Sequence, residues 1–353
     1  MIDVCDFFSG CGGASKGFQD SGFNIVLGID VNSTAANTFR VNFPKAKFIN
    51  KDIREITFVE TDKVIKKKKG RRLLFCGCAP CQPFSKQNRQ KKDNDTRINL
   101  LTEFQRFVEH YLPDYVFVEN VPGMQTFRIE GSPLETFLDA LGEKGYQYEC
   151  KVISAADYGV PQPRKRLIVI ASLYGKPVLP ESTNGKGKLP YSTVGEWITG
   201  LKPLNAGEYD ENDLDHCAAR LSGINLERIR NTPMGGGRES WPEHLKLDCH
   251  KKHSGHTDVY GRLSYDKMSV TLTTRCTSYS NGRYGHPEQD RALTIREAAC
   301  LQTFPRDFRF VGSFAEKTIQ VGNAVPPLLS QKLATAFLKI DREHFKSRRV
   351  SKE

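Results

Sequence analysis

Residues Ile2-Asp3-Val4-Cys5-Asp6-Phe7-Phe8-Ser9-Gly10-Cys11-Gly12-Gly13 run from an apolar strand pattern directly into a glycine-rich turn. Glycines let a chain turn tightly beside a ligand at the end of a strand, and this is how a nucleotide-binding α/β unit opens. A second strand pattern over residues 24–29 ends at Asp30, where a carboxylate some twenty residues after the turn can accept both hydroxyls of a ribose. The spacing is G-x-G-G rather than the dinucleotide G-x-G-x-x-G, so a nucleoside cofactor with no pyrophosphate fits, and a plain structural turn stays open as the alternative.

Outward from this turn, short apolar runs at residues 73–76, 115–118, 151–154 and 167–171 alternate with helical patterns. Leu101, Phe104, Phe107 and Tyr111 recur at helical spacing, and a further helix opens near Pro133 and closes at Gly145. The fold class is α/β, a doubly wound and mostly parallel sheet. From about Gly175 to Pro287 periodicity fades and Gly, Pro and Asn become frequent, as in a smaller irregular domain. Helical pattern returns at Thr294, which can cap a helix reciprocally with Glu297, and across residues 327–340. The expected division is 1–175, 176–287 and 288–345, with the last segment packing back onto the first. Residues 320–327 read as a loop entering the last helix, with Pro at its first position.

A chain of 353 residues with 38% hydrophobic content can bury a sizeable core, and no apolar run reaches the roughly 20 residues that cross a bilayer. No export signal is evident, so the ten cysteines are expected to be reduced thiols in the cytoplasm. The net charge of +11 suits a polyanionic partner without establishing one. Seven of the ten residues 63–72 are basic, which reads as a solvated loop in preference to a phosphate-contacting one.

Four segments bear chemistry. Cys76-Gly77-Cys78-Ala79-Pro80-Cys81-Gln82-Pro83-Phe84-Ser85 follows a strand, at the carboxyl edge where open α/β sheets bind ligands. Its C-x-C-x-x-C spacing lacks a second pair, so no metal is expected there. Glu119-Asn120-Val121 follows another strand, which would bring a partly desolvated carboxylate to the same edge. In Gln162-Pro163-Arg164-Lys165-Arg166 the two arginines share a face if the segment is extended. Gln320-Val321-Gly322-Asn323-Ala324-Val325-Pro326-Pro327 reads alone as a helix start. The cluster His244, Cys249, His250, His253 and His256 fits no standard zinc finger.

In this order and spacing the segments resemble the DNA cytosine-5 methyltransferase family over nearly the whole chain. The resemblance implies S-adenosylmethionine as cofactor, with Phe8, Gly10, Gly12 and Gly13 at its methionine end, Asp30 at the ribose and Asp52 near the adenine. Pro80 and Asn323 join that set. It implies Cys81 as nucleophile, Glu119 as the residue that engages the target cytosine, and Arg164 and Arg166 as its support. Residues 291–305 resemble the motif that organises the small domain, and the irregular middle region occupies the place of the target-recognition domain.

Carbon 5 of cytosine is a poor nucleophile, so the implied reaction first adds a thiolate to carbon 6. Such a base must leave the duplex stack to be reached. Gln82, Ser85, Lys86, Arg89 and Arg97 lie on a stretch suited to closing over the extruded nucleotide, and Thr273 and Arg275 resemble a segment that ends the recognition domain. The implied partner is double-stranded DNA, with a restriction endonuclease acting on the same site without a stable complex, and a monomeric, nucleoid-associated bacterial or phage enzyme. Rival readings are a transfer-RNA cytosine methyltransferase, a silent DNA-binding homologue and an α/β oxidoreductase. The large middle region speaks against the first, Cys81 and Glu119 against the second, and the glycine spacing against the third.

Overall fold

A computed structural model describes residues 1–80, 100–123, 132–248 and 258–350, the last five of these as helix backbone alone. The chain divides into two compact units, Met1–Tyr158 with Lys165–Ser182 and Val325–Glu353, and Gly159–Arg164 with Thr183–Ala324.

The first unit is built on a seven-stranded sheet, β1 Ile2–Phe7, β2 Asn24–Ile29, β3 Lys47–Ile49, β4 Arg72–Gly77, β5 Tyr115–Asn120, β6 Gln147–Ser154 and β7 Lys165–Ser172, in the order β3-β2-β1-β4-β5-β7-β6. Strands β1 to β5 run parallel, and β7 is antiparallel to both β5 and β6. The doubly wound, mostly parallel sheet read from the sequence is therefore present. Every residue of β1 and β5 is buried, as expected of central strands covered on both faces. Strand β3 had no sequence signal, because a three-residue edge strand with one lysine shows too little pattern.

Helices α1 Gly13–Asp20, α2 Ser33–Asn42, α3 Phe58–Asp62, α4 Leu100–Tyr111, α5 Pro133–Glu143 and the long C-terminal helix belong to this unit. The apolar spacing read at α4 buries Leu101, Phe104 and Phe107 beside Phe7, whose ring centroid lies 5.2 and 5.1 Å from those of Phe104 and Phe107. The C-terminal helix, Pro327–Val350, packs on α1, where Ser21 Oγ donates to the Gln331 carbonyl at 3.3 Å.

The second unit is loop-rich, with a hairpin (β8 Tyr209–Asp210, β9 Asp213–Cys217) and helices α6 Val194–Ile198, α7 Gly223–Arg230, α8 Ile295–Leu301 and α9 Phe314–Asn323. The capping box read at Thr294 and Glu297 opens α8. With little ladder to pair its backbone, this unit uses buried arginines as fasteners. Arg262 donates to the carbonyls of Ile229, Thr232, His286 and Gln289, and Arg291 forms a fork on Glu297 with two bonds of 2.7 Å. A small core gathers Ile229, Trp241, Leu245, Tyr279 and Ala292. One expectation fails here: residues 320–323 are not loop but the last turn of α9. That helix starts with a second capping box, Ser313 with Glu316, and its run ends because Pro326 and Pro327 cannot continue it.

Candidate active site at the carboxyl edge of the sheet

Strands β1, β2, β4 and β5 deliver their following residues to one edge. After β1, Phe8 adopts φ 61°, a left-handed conformation unusual for a bulky residue, and Gly12 follows at φ 96°. A side chain at Gly12 would also collide with the Phe43 ring at 2.4 Å, so only glycine closes this turn. The turn is fastened to β2 by Ser9 N–H on the Ile29 carbonyl at 2.9 Å and by Gly10 N–H on Asp30 Oδ2 at 2.8 Å.

Asp30 Oδ1 accepts the Asn32 N–H at 2.8 Å, and the Asp30 carbonyl accepts from the Asn50 side chain at 2.8 Å. Burial raises the Asp30 carboxyl above its ordinary pKa, against the lowering effect of the Asn32 and Gly10 N–H groups. Each carboxylate oxygen spends one lone pair on a backbone donor and keeps another for a further donor. Space beside Gly10 is open, since a Cβ there would meet no atom within 4 Å. This cradle fits a nucleoside cofactor. Asp52 caps the short turn 53–55, and its carboxylate is engaged by Arg54, whose hydrogen bond lowers its pKa.

After β4 the chain continues through Cys78, Ala79 and the exposed Pro80. Burial pushes the Cys76 thiol well above its ordinary range, so Cys76 is an inert packing group. The thiols of Cys76 and Cys78 lie 3.8 Å apart, and the eight described cysteines are all free. Cys81, Gln82, Ser85, Lys86, Arg89 and Arg97 lie outside the described residues, as do Cys249, His250, His253 and His256.

Glu119 is inside β5 and 8% exposed. Arg166, near the start of the antiparallel β7, places its Nε 2.7 Å from Glu119 Oε1. The neighbouring Asn120 is buried, and its amide donates to the Ala79 carbonyl at 3.1 Å. The segment leading to Cys81 is thus tied to the strand that carries Glu119 across 41 positions of sequence. Asn120 had been read only as a member of its motif. A buried amide at a strand end, which must find partners, is the signal that could have singled it out.

Arg164 belongs to the second unit and has other work than Arg166. It is 4% exposed and donates to the carbonyls of Leu272 at 2.9 Å, Gly322 at 3.3 Å and Ala324 at 3.4 Å. Gln162, fully buried, donates to Leu301 and Gln302, and Gln302 in turn to Val321 and Ala324. Gly322 lies against the Thr273–Thr274 peptide so closely that a Cβ would stand 2.2 Å from the Thr273 carbonyl oxygen. Within this unit Asn323 is exposed at the end of α9, Thr273 Oγ1 bonds Tyr284 at 3.1 Å, and Arg275 is exposed.

Sheet order, glycine turn and acid after β2 define an S-adenosylmethionine-dependent methyltransferase fold, and the cofactor is S-adenosylmethionine. A family model for C-5 cytosine-specific DNA methylases matches residues 2–339, and the chain belongs to that family. It is a DNA cytosine-5 methyltransferase. The Type II methylase M.HgiDII of Herpetosiphon aurantiacus is 40% identical over 338 residues, which cover 94% of this chain and 93% of that protein. The Type II methyltransferase M1.HphI of Haemophilus parahaemolyticus is 36% identical over 344 residues, covering 96% and 87%. Among solved structures, Spodoptera frugiperda DNMT2 has a similar fold at TM-score 0.65 and 18% identity, covering 96% of this chain and all of that one. Among the described residues no helix is long and apolar enough to cross a membrane.

Proposed function

We propose that Cys81 attacks carbon 6 of a cytosine extruded from the duplex, with Glu119 and Arg166 holding the base, and that carbon 5 is then methylated within a short specific DNA sequence. The observation that carries this reading is the tie from Asn120 to Ala79. It fastens the segment entering Cys81 beside a buried carboxylate whose counter-charge, Arg166, is 2.7 Å away.

Thiolate addition at carbon 6 leaves an electron pair to be accommodated at ring nitrogen 3, and Glu119 holds the proton there. Arg166 fixes the Glu119 carboxylate and so fixes that proton's position. The 8–13 turn and Asp30 would hold S-adenosylmethionine, which would supply an electrophilic methyl group and leave as the neutral thioether. The carbon-5 proton then passes to a solvent base, the Cys81 thiolate is expelled, and Glu119 takes back the proton at ring nitrogen 3, which restores the aromatic ring. Arg164 acts through the backbone of the 322–324 segment rather than on the base, which makes it a positioning residue. Asp52, Pro80 and Asn323 complete the cofactor set.

The irregular second unit suits target recognition, with Thr273 and Arg275 as DNA contacts. Gln82, Ser85, Lys86, Arg89 and Arg97 follow Cys81 directly, where phosphate contacts would secure the flipped nucleotide. The Type II relatives favour a restriction-modification role in a bacterial or phage setting, with an endonuclease that reads the same site and no stable complex with it. The enzyme works as a monomer on nucleoid DNA in the cytoplasm.

The test is a duplex carrying 5-fluorocytosine at the methylated position, found by bisulfite mapping of DNA from expressing cells. With S-adenosylmethionine present, the wild type should become covalently linked to it and Cys81→Ala should not. Linkage in the Cys81→Ala protein, or none in an active wild type, would refute the assignment.

A further inference from the structure

The basic run at residues 63–72 is not a uniformly solvated loop. Its two arginines are consumed by the fold: Arg71 pairs with Asp3, while Arg72 lies 3.5 Å from Asp341 and over the Phe345 ring. Ile65 is buried in the core and its N–H bonds the Thr61 carbonyl at 2.8 Å, while Arg71 N–H bonds the Lys68 carbonyl at 3.0 Å. Lys67 Nζ donates to the Leu112 carbonyl at 2.7 Å, beside the turn that enters β5. The backbone is therefore held at both ends and in the middle.

Between these anchors stand Lys63, Lys66, Lys67, Lys68 and Lys69, all exposed. The side chains of Lys63, Lys66, Lys68 and Lys69 have no ion-pair or hydrogen-bond partner among the described residues. Some lysines elsewhere in the chain do find acids, among them Lys51 with Glu60, Lys202 with Asp210, Lys246 with Glu243 and Lys317 with Asp215. Of the nearest acids in sequence, Glu60 pairs with Lys51, and Asp62 keeps its charge but turns to the Tyr111 hydroxyl at 2.6 Å. Five lysine charges in seven residues, none paired with an acid among the described residues, repel one another, and an arrangement that costs self-repulsion suits a polyanion that relieves it.

The location decides which one. Residues 63–71 lead into the first residue of β4 and are tied to Asp3 of β1 and to the turn before β5, so they occupy the amino edge of the parallel strands. The candidate active site is at the carboxyl edge, one six-residue strand away, which is ~20 Å. A straight duplex held at the carboxyl edge does not reach these lysines.

We infer that residues 63–69 form a second, sequence-independent DNA-backbone surface that holds a duplex segment other than the one being methylated. Such a surface would keep the enzyme on long DNA between sites, through counterion release rather than base contacts. It relies on the DNA substrate of the family and not on the Cys81 chemistry.

The test is the variant Lys63→Gln, Lys66→Gln, Lys68→Gln, Lys69→Gln in the full chain, with the four Lys→Arg changes as control. Binding to a duplex of several hundred base pairs without the target sequence is measured across salt concentrations, and turnover is measured on a short duplex of about 14 base pairs bearing the target. The Gln variant should bind the long DNA about tenfold more weakly near 0.1 M salt, with a logarithmic salt slope smaller by about 2 to 4, one for each lost phosphate contact. Short-duplex kcat/KM should be unchanged, and the Arg variant should behave as wild type. Unchanged long-DNA affinity and slope, or an equal loss on the short duplex, would overturn the inference.

Discussion

Glu119 and Arg166 face each other across the β5–β7 antiparallel pair, carboxylate oxygen to guanidinium nitrogen at 2.7 Å, with side chains only 11% and 13% exposed. Glu119 pairs in register with Ile168, so Arg166 reaches back along β7 past one strand repeat to meet it. Two charges so far withdrawn from water are stable only as a pair, which makes each partner a sharp test of the other.

Arg166→Ala should leave the Glu119 carboxylate buried without its counter-charge and destabilise the first unit by about 3 kcal/mol. Glu119→Gln keeps the shape but removes the carboxylate that would carry a proton to ring nitrogen 3. It should lower kcat by two or more orders of magnitude while S-adenosylmethionine affinity changes less than threefold. Calorimetric binding beside single-turnover methylation separates the two effects, and equal losses in both would remove Glu119 from the chemistry.

Asp30 predicts a different split. Its oxygens already carry the Gly10 and Asn32 N–H groups, so Asp30→Asn must turn an amide N–H toward one donor and loses acceptor capacity toward the ribose. S-adenosylmethionine binding should weaken about tenfold or more, the loss expected for a charge-assisted bond, while turnover at saturating cofactor falls less. Titration calorimetry checks the first and kcat the second. Undiminished affinity would place the ribose elsewhere.

Asp6 gives the first unit a pH signature. Its carboxyl is buried, and burial pushes its pKa up to about 7 despite bonds from Ser15 and Cys76. A folded-state value above the unfolded ~3.9 means the group stabilises the fold fully below pH ~4, and that contribution is lost as pH rises toward 7. Asp6→Asn stays neutral throughout. Its stability relative to wild type should therefore grow by a few kcal/mol between pH 4.5 and 8, read by urea unfolding in far-ultraviolet circular dichroism. A difference constant with pH would show that Asp6 is ionised in the fold.

What was legible in the sequence follows from how local each signal was. Strands β1, β2, β4, β5 and β7 declare themselves as apolar runs, and the glycine turn with Asp30 is readable from twenty residues of spacing. Arg164 is different: its partners at Leu272, Gly322 and Ala324 lie 108 to 160 positions away, so nothing local distinguishes a carbonyl clamp from an arginine that supports the target base. Arg262 and Gly322 are hidden in the same way. Helix α9 was missed because the Gly-Asn before two prolines looks like a loop, whereas the capping box ten residues earlier commits the segment to helix.

The second unit should respond to acid separately, and its own fluorophores can report it. Both tryptophans of the chain, Trp197 and Trp241, lie in that unit, so their emission follows its unfolding alone. His286 is buried there, and its Nδ1 accepts the backbone N–H groups of Glu288 at 3.2 Å and Gln289 at 3.0 Å, which a protonated nitrogen cannot do. Burial pushes its pKa down to about 4. Glu297, whose carboxylate is 3.6 Å from Nε2, favours the charged ring, while Arg291, Arg262 and His216 oppose it. The sign is opposite to that of Asp6: His286 contributes stability above its unfolded pKa of ~6.5, and this is lost as pH falls toward 4, up to about 3 kcal/mol. Asp213 and Glu297 titrate below their ordinary carboxylate values, Asp213 through Arg296 against its burial and Glu297 through Arg291 against its burial, so their losses come at still lower pH. The urea midpoint by tryptophan emission should therefore fall between pH 6.5 and 4.5 in the wild type. In His286→Asn, which can still accept a backbone N–H but does not titrate, it should be nearly flat across that window. Equal slopes in the two proteins would mean that the imidazole is not the acid-sensitive group.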